Sequence, residues 1–161
     1  MPIERSESQT GELLSCILAD VRSLMESGCV NSVSDVGDHH RRLLERFEDF
    51  VGAVLVGHLE NEAVDIMACD FTDFLGSHFS VEETIMSLLE YPGEEVHKQQ
   101  HRRFLDEVRH LLRMLPLGVG TYGDFAVMAG GWLLKHEGTF DAELAEHAAA
   151  VIAGKTQLGV E

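Results

Sequence analysis

The sequence predicts an all-α protein: an antiparallel up-and-down four-helix bundle with an extra N-terminal helix. Three observations predict it. Apolar residues recur at steps of three and four along nearly the whole chain, which is the period of a helix with one buried face. No segment alternates apolar and polar residues as a half-buried strand would, and no Asn-Gly hairpin signal or internal repeat is present. The 161 residues, 45% of them hydrophobic, suffice for one domain with a real core.

Each helix follows from its stripe. Leu13, Leu14, Ile17, Leu18, Val21, Leu24 and Met25 define the first, over Glu12 to Met25, with Gly28 as its stop. Small polar residues from Cys29 to Ser34 read as a linker. The second helix starts near Asp35, carries Leu43, Leu44, Phe47, Phe50, Val51, Val54 and Leu55, and ends near Gly57. A third begins around Asn61 and carries Ile66, Met67, Phe71, Phe74, Leu75, His78, Ile85 and Leu89. Tyr91-Pro92-Gly93 ends it, because a residue before proline disfavours helical backbone. Glu94 and Glu95 open the fourth, where negative charge suits the helix dipole; Val96, Phe104, Val108, Leu111 and Leu112 form its stripe, and Pro116 to Gly120 closes it. Thr121 and Asp124 form a capping-box pattern for the last helix, which holds Phe125, Met128, Trp132, Leu133, His136 and Phe140 and continues or breaks before Asp141 to Ala153. The expected organisation is residues 1–34 as helix and linker, 35–153 as bundle, and 154–161 as a loose tail.

Composition narrows the function classes. Twelve basic against 28 acidic residues leave a net charge of −16. Such a surface repels phosphate backbones and anionic lipid heads, so neither a nucleic acid nor a membrane is expected as a partner. Three cysteines without a CxxC point away from a disulfide framework or zinc ribbon and towards a reducing compartment. No basic segment followed by an apolar one opens the chain, and no apolar run approaches a membrane span. The expected location is therefore cytoplasmic.

Nine histidines are the unexplained excess. His78 and Glu82 are an H-x3-E pair, His97 and His101 an H-x3-H pair, and His136 and Asp141 an H-x4-D pair. Residues four apart lie about 40° apart around a helix, so the first two pairs each share a face. Chance alone would give roughly 0.5 H-x3-H pairs in such a chain, and His58–Glu62 is a decoy of the same kind. The signal lies in placement: one pair on each of three successive helices, each within an apolar stripe. Imidazoles and carboxylates on inward faces are what a metal site in a bundle core requires. A fourth helix offers His39 and His40. His40 precedes Leu43, Leu44 and Phe47 at offsets of three, four and seven and so lies on the stripe; His39 is 100° away, on the flank. His136 and Asp141 are about 140° apart on an ideal helix, so both face inward only across a π-bulge or break, which Gly138 eases.

The segments VGDHHRRLLERF, FTDFLGSHFSVEETIMSLLEYPGEEVHKQQHRRF and GGWLLKHEGTFD together resemble the hemerythrin family, in particular its bacterial members. The likeness covers roughly residues 36 to 141. It implies a non-haem di-iron centre bridged by an oxo or hydroxo group. His97, His101 and His136 would saturate one iron, His40 and His78 would hold the other, and Glu82 and Asp141 would bridge both. The iron with two histidines would keep an open position for O2. Expected pocket residues are Leu44, Phe47, Phe79, Trp132, Leu133 and Glu137.

Three features depart from the family pattern. Glu137 stands where the family usually has isoleucine. Turned inward, it would change the polarity of the pocket; the reading preferred from sequence is a solvated flank residue, since apolar sites reject unpaired charge. The family's tryptophan-bearing N-terminal arm is replaced by the extra helix, and Gly37-Asp38 occupies the stretch where an aspartate is expected. His58, His110 and His147 read as ordinary packed or capped residues. Glu83 reads as a surface residue, and Cys69 as a small buried apolar one.

The implied function is reversible O2 binding for storage, delivery or scavenging, without enzymatic turnover. The alternative is an oxygen, redox or nitric-oxide sensor that signals to a protein partner, or to a second copy, through the N-terminal helix. A di-iron peroxidase or oxidase is less favoured. Zinc hydrolysis is poor, because His97-Lys98-Gln99-Gln100-His101 lacks the glutamate of HExxH.

Overall fold

The computed structural model describes residues 6–26, 34–57 and 61–158. These residues are helical almost throughout, with no strand among them. We number the helices α1 (Glu7–Glu26), α2 (Ser34–Val56), α3 (Asn61–Leu88), α4 (Glu94–Met114), α5 (Tyr122–His136) and α6 (Ala142–Leu158). A 3₁₀ turn, Leu115–Leu117, follows α4, and a π turn, Glu137–Asp141, joins α5 to α6 in one continuous rod.

Helix α2 packs on α3 and α5, α3 on α4, and α4 on α5, which closes a four-membered ring. Short connections make consecutive helices antiparallel. The extra helix α1 lies outside the ring against α5 and α2. The apolar core contains Leu43, Phe47, Phe50, Phe71, Leu75, Phe104, Val108, Phe125 and Leu133, with Leu14, Ile17 and Val21 from α1. Close approach of α1 depends on Gly130: a Cβ there would overlap Ile17 Cγ2 and lie 2.8 Å from Phe47 Cζ.

Chain ends follow local chemistry. Helix α3 stops in a Schellman arrangement: Glu90 adopts φ 49°, Tyr91 N–H donates to Met86 O at 2.9 Å, and Glu90 N–H donates to Ser87 O at 3.3 Å. The Thr121–Asp124 capping box is present in full. Helix α1 begins five residues earlier than its stripe predicts, at Glu7 rather than Glu12. Ser6 and Gln9 form a reciprocal cap, with Gln9 N–H on Ser6 Oγ at 3.3 Å and Ser6 N–H on Gln9 Oε1 at 3.1 Å. At the other end, α6 continues to Leu158 where a loose tail from 154 was expected. A single glycine costs a helix only about 1 kcal/mol and no proline follows to stop it. Gly28, most of the 29–34 linker and His58 lie outside the described residues.

Candidate metal centre

The polar residues of the bundle core come from α2, α3, α4, α5 and the π turn. His40, His78, Glu82, His97, His101, His136, Glu137 and Asp141 are all buried, none more than 3% exposed. Their ligand atoms fall into two groups, each within 4.8 Å: Glu82, His97, His101, His136 and Asp141 in one, and His40, His78 and Glu137 in the other. The π turn is the device that brings Asp141 to the same side as His136. One extra residue in the turn takes up about 100° of the 140° offset, leaving the spacing of an i, i+4 pair, and His136 Nε2 comes to 3.2 Å from Asp141 Oδ1.

In the first group the imidazoles meet nitrogen to nitrogen. His136 Nε2 lies 2.9 Å from His97 Nε2 and 3.1 Å from His101 Nε2. Glu82 Oε2 is 3.2 Å from His101 Nε2, and Asp141 Oδ1 is 3.0 Å from His97 Nε2. In the second group His40 Nε2 is 3.2 Å from Glu82 Oε1 and 3.1 Å from Glu137 Oε1, while His78 Nε2 is 3.1 Å from Glu82 Oε1. Glu82 therefore faces both groups, one oxygen to each.

These contacts fit metal ligands better than they fit a hydrogen-bond network. Glu82 Oε2 and both Asp141 oxygens are buried and accept no hydrogen bond of proper geometry, although imidazole nitrogens stand close by. Lone pairs aimed at a shared point give this pattern. An imidazole–metal bond of about 2.1 Å, as in zinc sites, sets ligand atoms at right angles about 3 Å apart, which matches the observed nitrogen–nitrogen spacings. Three buried carboxylates together would otherwise be costly, since low-polarity surroundings penalise unbalanced charge.

The electrostatics differ from residue to residue. Burial acts against the charged form of Glu82, but His78, His101 and His40 outweigh it and hold the carboxyl well below its ordinary range. Asp141 is lowered as well: burial and Glu82 oppose its charge, and His136 and His97 prevail. Glu137 goes the other way, pushed well above the ordinary range by burial and then by Asp141. Burial pulls His136 below 6.5, which keeps the imidazole neutral. It acts in the same direction on His40 and His78, but Glu137 and Glu82 at His40, and Glu82 at His78, leave both raised.

Of the seven expected ligands, the fold brings all into the two groups, with His40 rather than His39 turned inward. His39 is half-buried, its ring stacked on Phe74 at 5.6 Å. Phe79 stacks on His101 at 3.8 Å, and Trp132 lies between Phe104 at 4.0 Å and His136 at 4.1 Å. Leu44, Phe47 and Leu133 are buried in the apolar core. His110 is exposed, and His147 Nε2 meets the Leu89 carbonyl oxygen at 3.0 Å.

Three residues stand differently from the sequence reading, and a fourth was missed by it. Glu137 is no flank residue: it is 3% exposed and faces His40, because it keeps the helical register of α5, its N–H bonded to the carbonyl of buried Leu133 one turn earlier. Glu83 is no plain surface residue: its Oε1 is 3.1 Å from His101 Nδ1, so it fixes that ring from behind, as carboxylates do for ligating histidines. Phe140, on the π turn, contacts the rings of His97 and His136, each at 5.4 Å. Its place beside Asp141 was the available signal. Cys69 is exposed, as is Cys16.

A helical bundle whose core gathers five imidazoles and three carboxylates in two adjoining groups has the architecture of the dinuclear metal–carboxylate bundle proteins. Over 101 residues the chain is 26% identical to a bacteriohemerythrin from Stenotrophomonas maltophilia (strain R551-3), a match that covers 63% of this chain. It spans 65% of that relative, just under two thirds of its length. The chain is thus similar in sequence to a bacteriohemerythrin, and its histidine–carboxylate cluster is compatible with a di-iron site. No protein-family model matches the chain. No solved structure matches it either.

Proposed function

We propose that the chain is a non-haem di-iron protein that binds O2 reversibly for storage, delivery or scavenging, and that it is not an enzyme. One observation carries the reading: buried imidazole and carboxylate atoms converge in two adjoining groups in the core, where Glu82 Oε2 and both Asp141 oxygens accept no hydrogen bond. His97, His101 and His136 would hold one iron, His40 and His78 the other, and Glu82 and Asp141 both. A bound iron pair bridged by oxo or hydroxo supplies a redox-active centre to which O2, or nitric oxide as the alternative small ligand, coordinates.

The chain's own part is to orient the imidazoles and to exclude water. Burial keeps His136 neutral, and Glu83 orients His101. The rings of Phe79, Trp132 and Phe140 pack around the histidines and shield them from water. The apolar stripe of α1 is taken up by α5 and α2, and its exposed positions include Glu12, Ser15, Asp20 and Arg22. That leaves signalling through α1, to a partner or a second copy, as the weaker reading. Exposed free thiols at Cys16 and Cys69 suit a reducing compartment, so we place the protein in the cytoplasm. No described helix is long and apolar enough to cross a membrane.

Anaerobic loading with ferrous iron followed by cycles of air and argon tests this. A charge-transfer band that appears in air and fades under argon supports reversible binding. A band that never forms, or that forms once and persists, contradicts it.

A further inference from the structure

Glu137 is the one buried member of the cluster to which the ligand set above gives no role. It opens the π turn directly after His136, is 3% exposed, and sets Oε1 3.1 Å from His40 Nε2. With His40 and His78 it presents three ligand atoms within 4.8 Å of one another, apart from the group formed around His97, His101 and His136. Two imidazoles and one carboxylate converging in this way are a recurrent set for non-haem iron. A carboxylate placed so deep beside Glu82 and Asp141 calls for a cation rather than for a third negative neighbour.

We infer that Glu137 is a direct ligand of the iron held by His40 and His78, so that small exogenous ligands reach that iron only in competition with the Glu137 carboxylate. The inference rests on the di-iron reading above. One oxygen each from Glu82 and Asp141 and the bridging group would bring that ion to six donors, a full octahedral set. The chain would thus be built to hold small ligands more weakly than one with an apolar residue at this position.

The test compares the wild-type protein with Glu137→Ile and Glu137→Gln. Each is loaded anaerobically with ferrous iron and its iron per chain is counted. The ferric form is then titrated with azide, an anion, and the ferrous form with nitric oxide, a neutral ligand. Each variant is expected either to keep two irons and bind both probes at least about tenfold tighter, or to fall to one iron per chain because a ligand is gone. Two irons with unchanged affinity for both probes would overturn the inference. So would tightening for azide alone, which is the signature of a removed charge rather than a vacated coordination position. If Glu137→Ile loses its helical signal, Glu137→Gln, which preserves size, decides by the same criteria. A wild-type chain that takes up fewer than two irons overturns the di-iron reading, and the inference with it.

Discussion

The two halves of the polar cluster are built from different chemistry. The half around His97, His101 and His136 has three imidazoles within 3.1 Å steps of one another, two of them one helical turn apart on α4 and one at the end of α5. Its surroundings are aromatic, and its outer support is Glu83 on His101. The half around His40 and His78 has two imidazoles from α2 and α3, and its third donor is the Glu137 carboxylate from the π turn. One half is nitrogen-rich, with His136 held neutral by burial. The other has one imidazole fewer and a single carboxylate of its own, with both imidazoles biased towards the charged form. Two adjoining groups of buried ligand atoms thus present unequal donor sets.

His101→Ala strikes the stronger half and should have the largest effect. Iron should fall to one per chain or fewer. If the iron is bound at about a thousandfold excess over its Kd, the apparent stability it confers should drop by about 4 kcal/mol, read from denaturant melts with and without iron. Acid should then separate the halves. A ligating imidazole must be deprotonated. His40 and His78 titrate above 6.5, so a falling pH protonates them first, while His136, held below 6.5, stays neutral to lower pH. Iron retained per chain, followed downward from neutral pH, should show one ion leaving before the other; simultaneous loss would mean that the two halves grip alike.

Smaller effects sharpen the contrast. Glu83→Gln leaves every proposed ligand in place but loosens His101, and should weaken iron binding at the nitrogen-rich half by about 10–100-fold, measured by chelator competition. Gly130→Ala disturbs the seat of α1 without touching either half. Overpacking against Ile17 and Phe47 should cost about 1–3 kcal/mol while iron content stays unchanged. His110→Ala, at an exposed position, should shift stability by less than about 0.5 kcal/mol and leave the metal untouched.

The halves also differed in how far the sequence revealed them. His78–Glu82 and His97–His101 sit on unbroken helices, where a spacing of four survives folding and reads directly as one face. The inward face of His40 followed from its offsets to Leu43, Leu44 and Phe47 in the same way. Glu137 was misread on its charge: a spacing of four from buried Leu133 places it on the inward face, and a carboxylate is not expected there without a balancing partner. The need for a π turn could be inferred from the His136–Asp141 spacing. Glu83 was hidden for a different reason: it acts on His101 from the neighbouring helix, a relation that no spacing within one helix encodes. The early start of α1 was written in Ser6 and Gln9, whose capping pattern precedes the first apolar residue of the stripe.

The central claim, that the buried cluster is a site for two ions with separable halves, is tested most directly by counting iron in fully loaded wild-type protein and in His78→Ala. The account predicts two irons per wild-type chain and one in the variant, with the nitrogen-rich half still filled. One iron or fewer in the wild type, or two retained in His78→Ala, would contradict it.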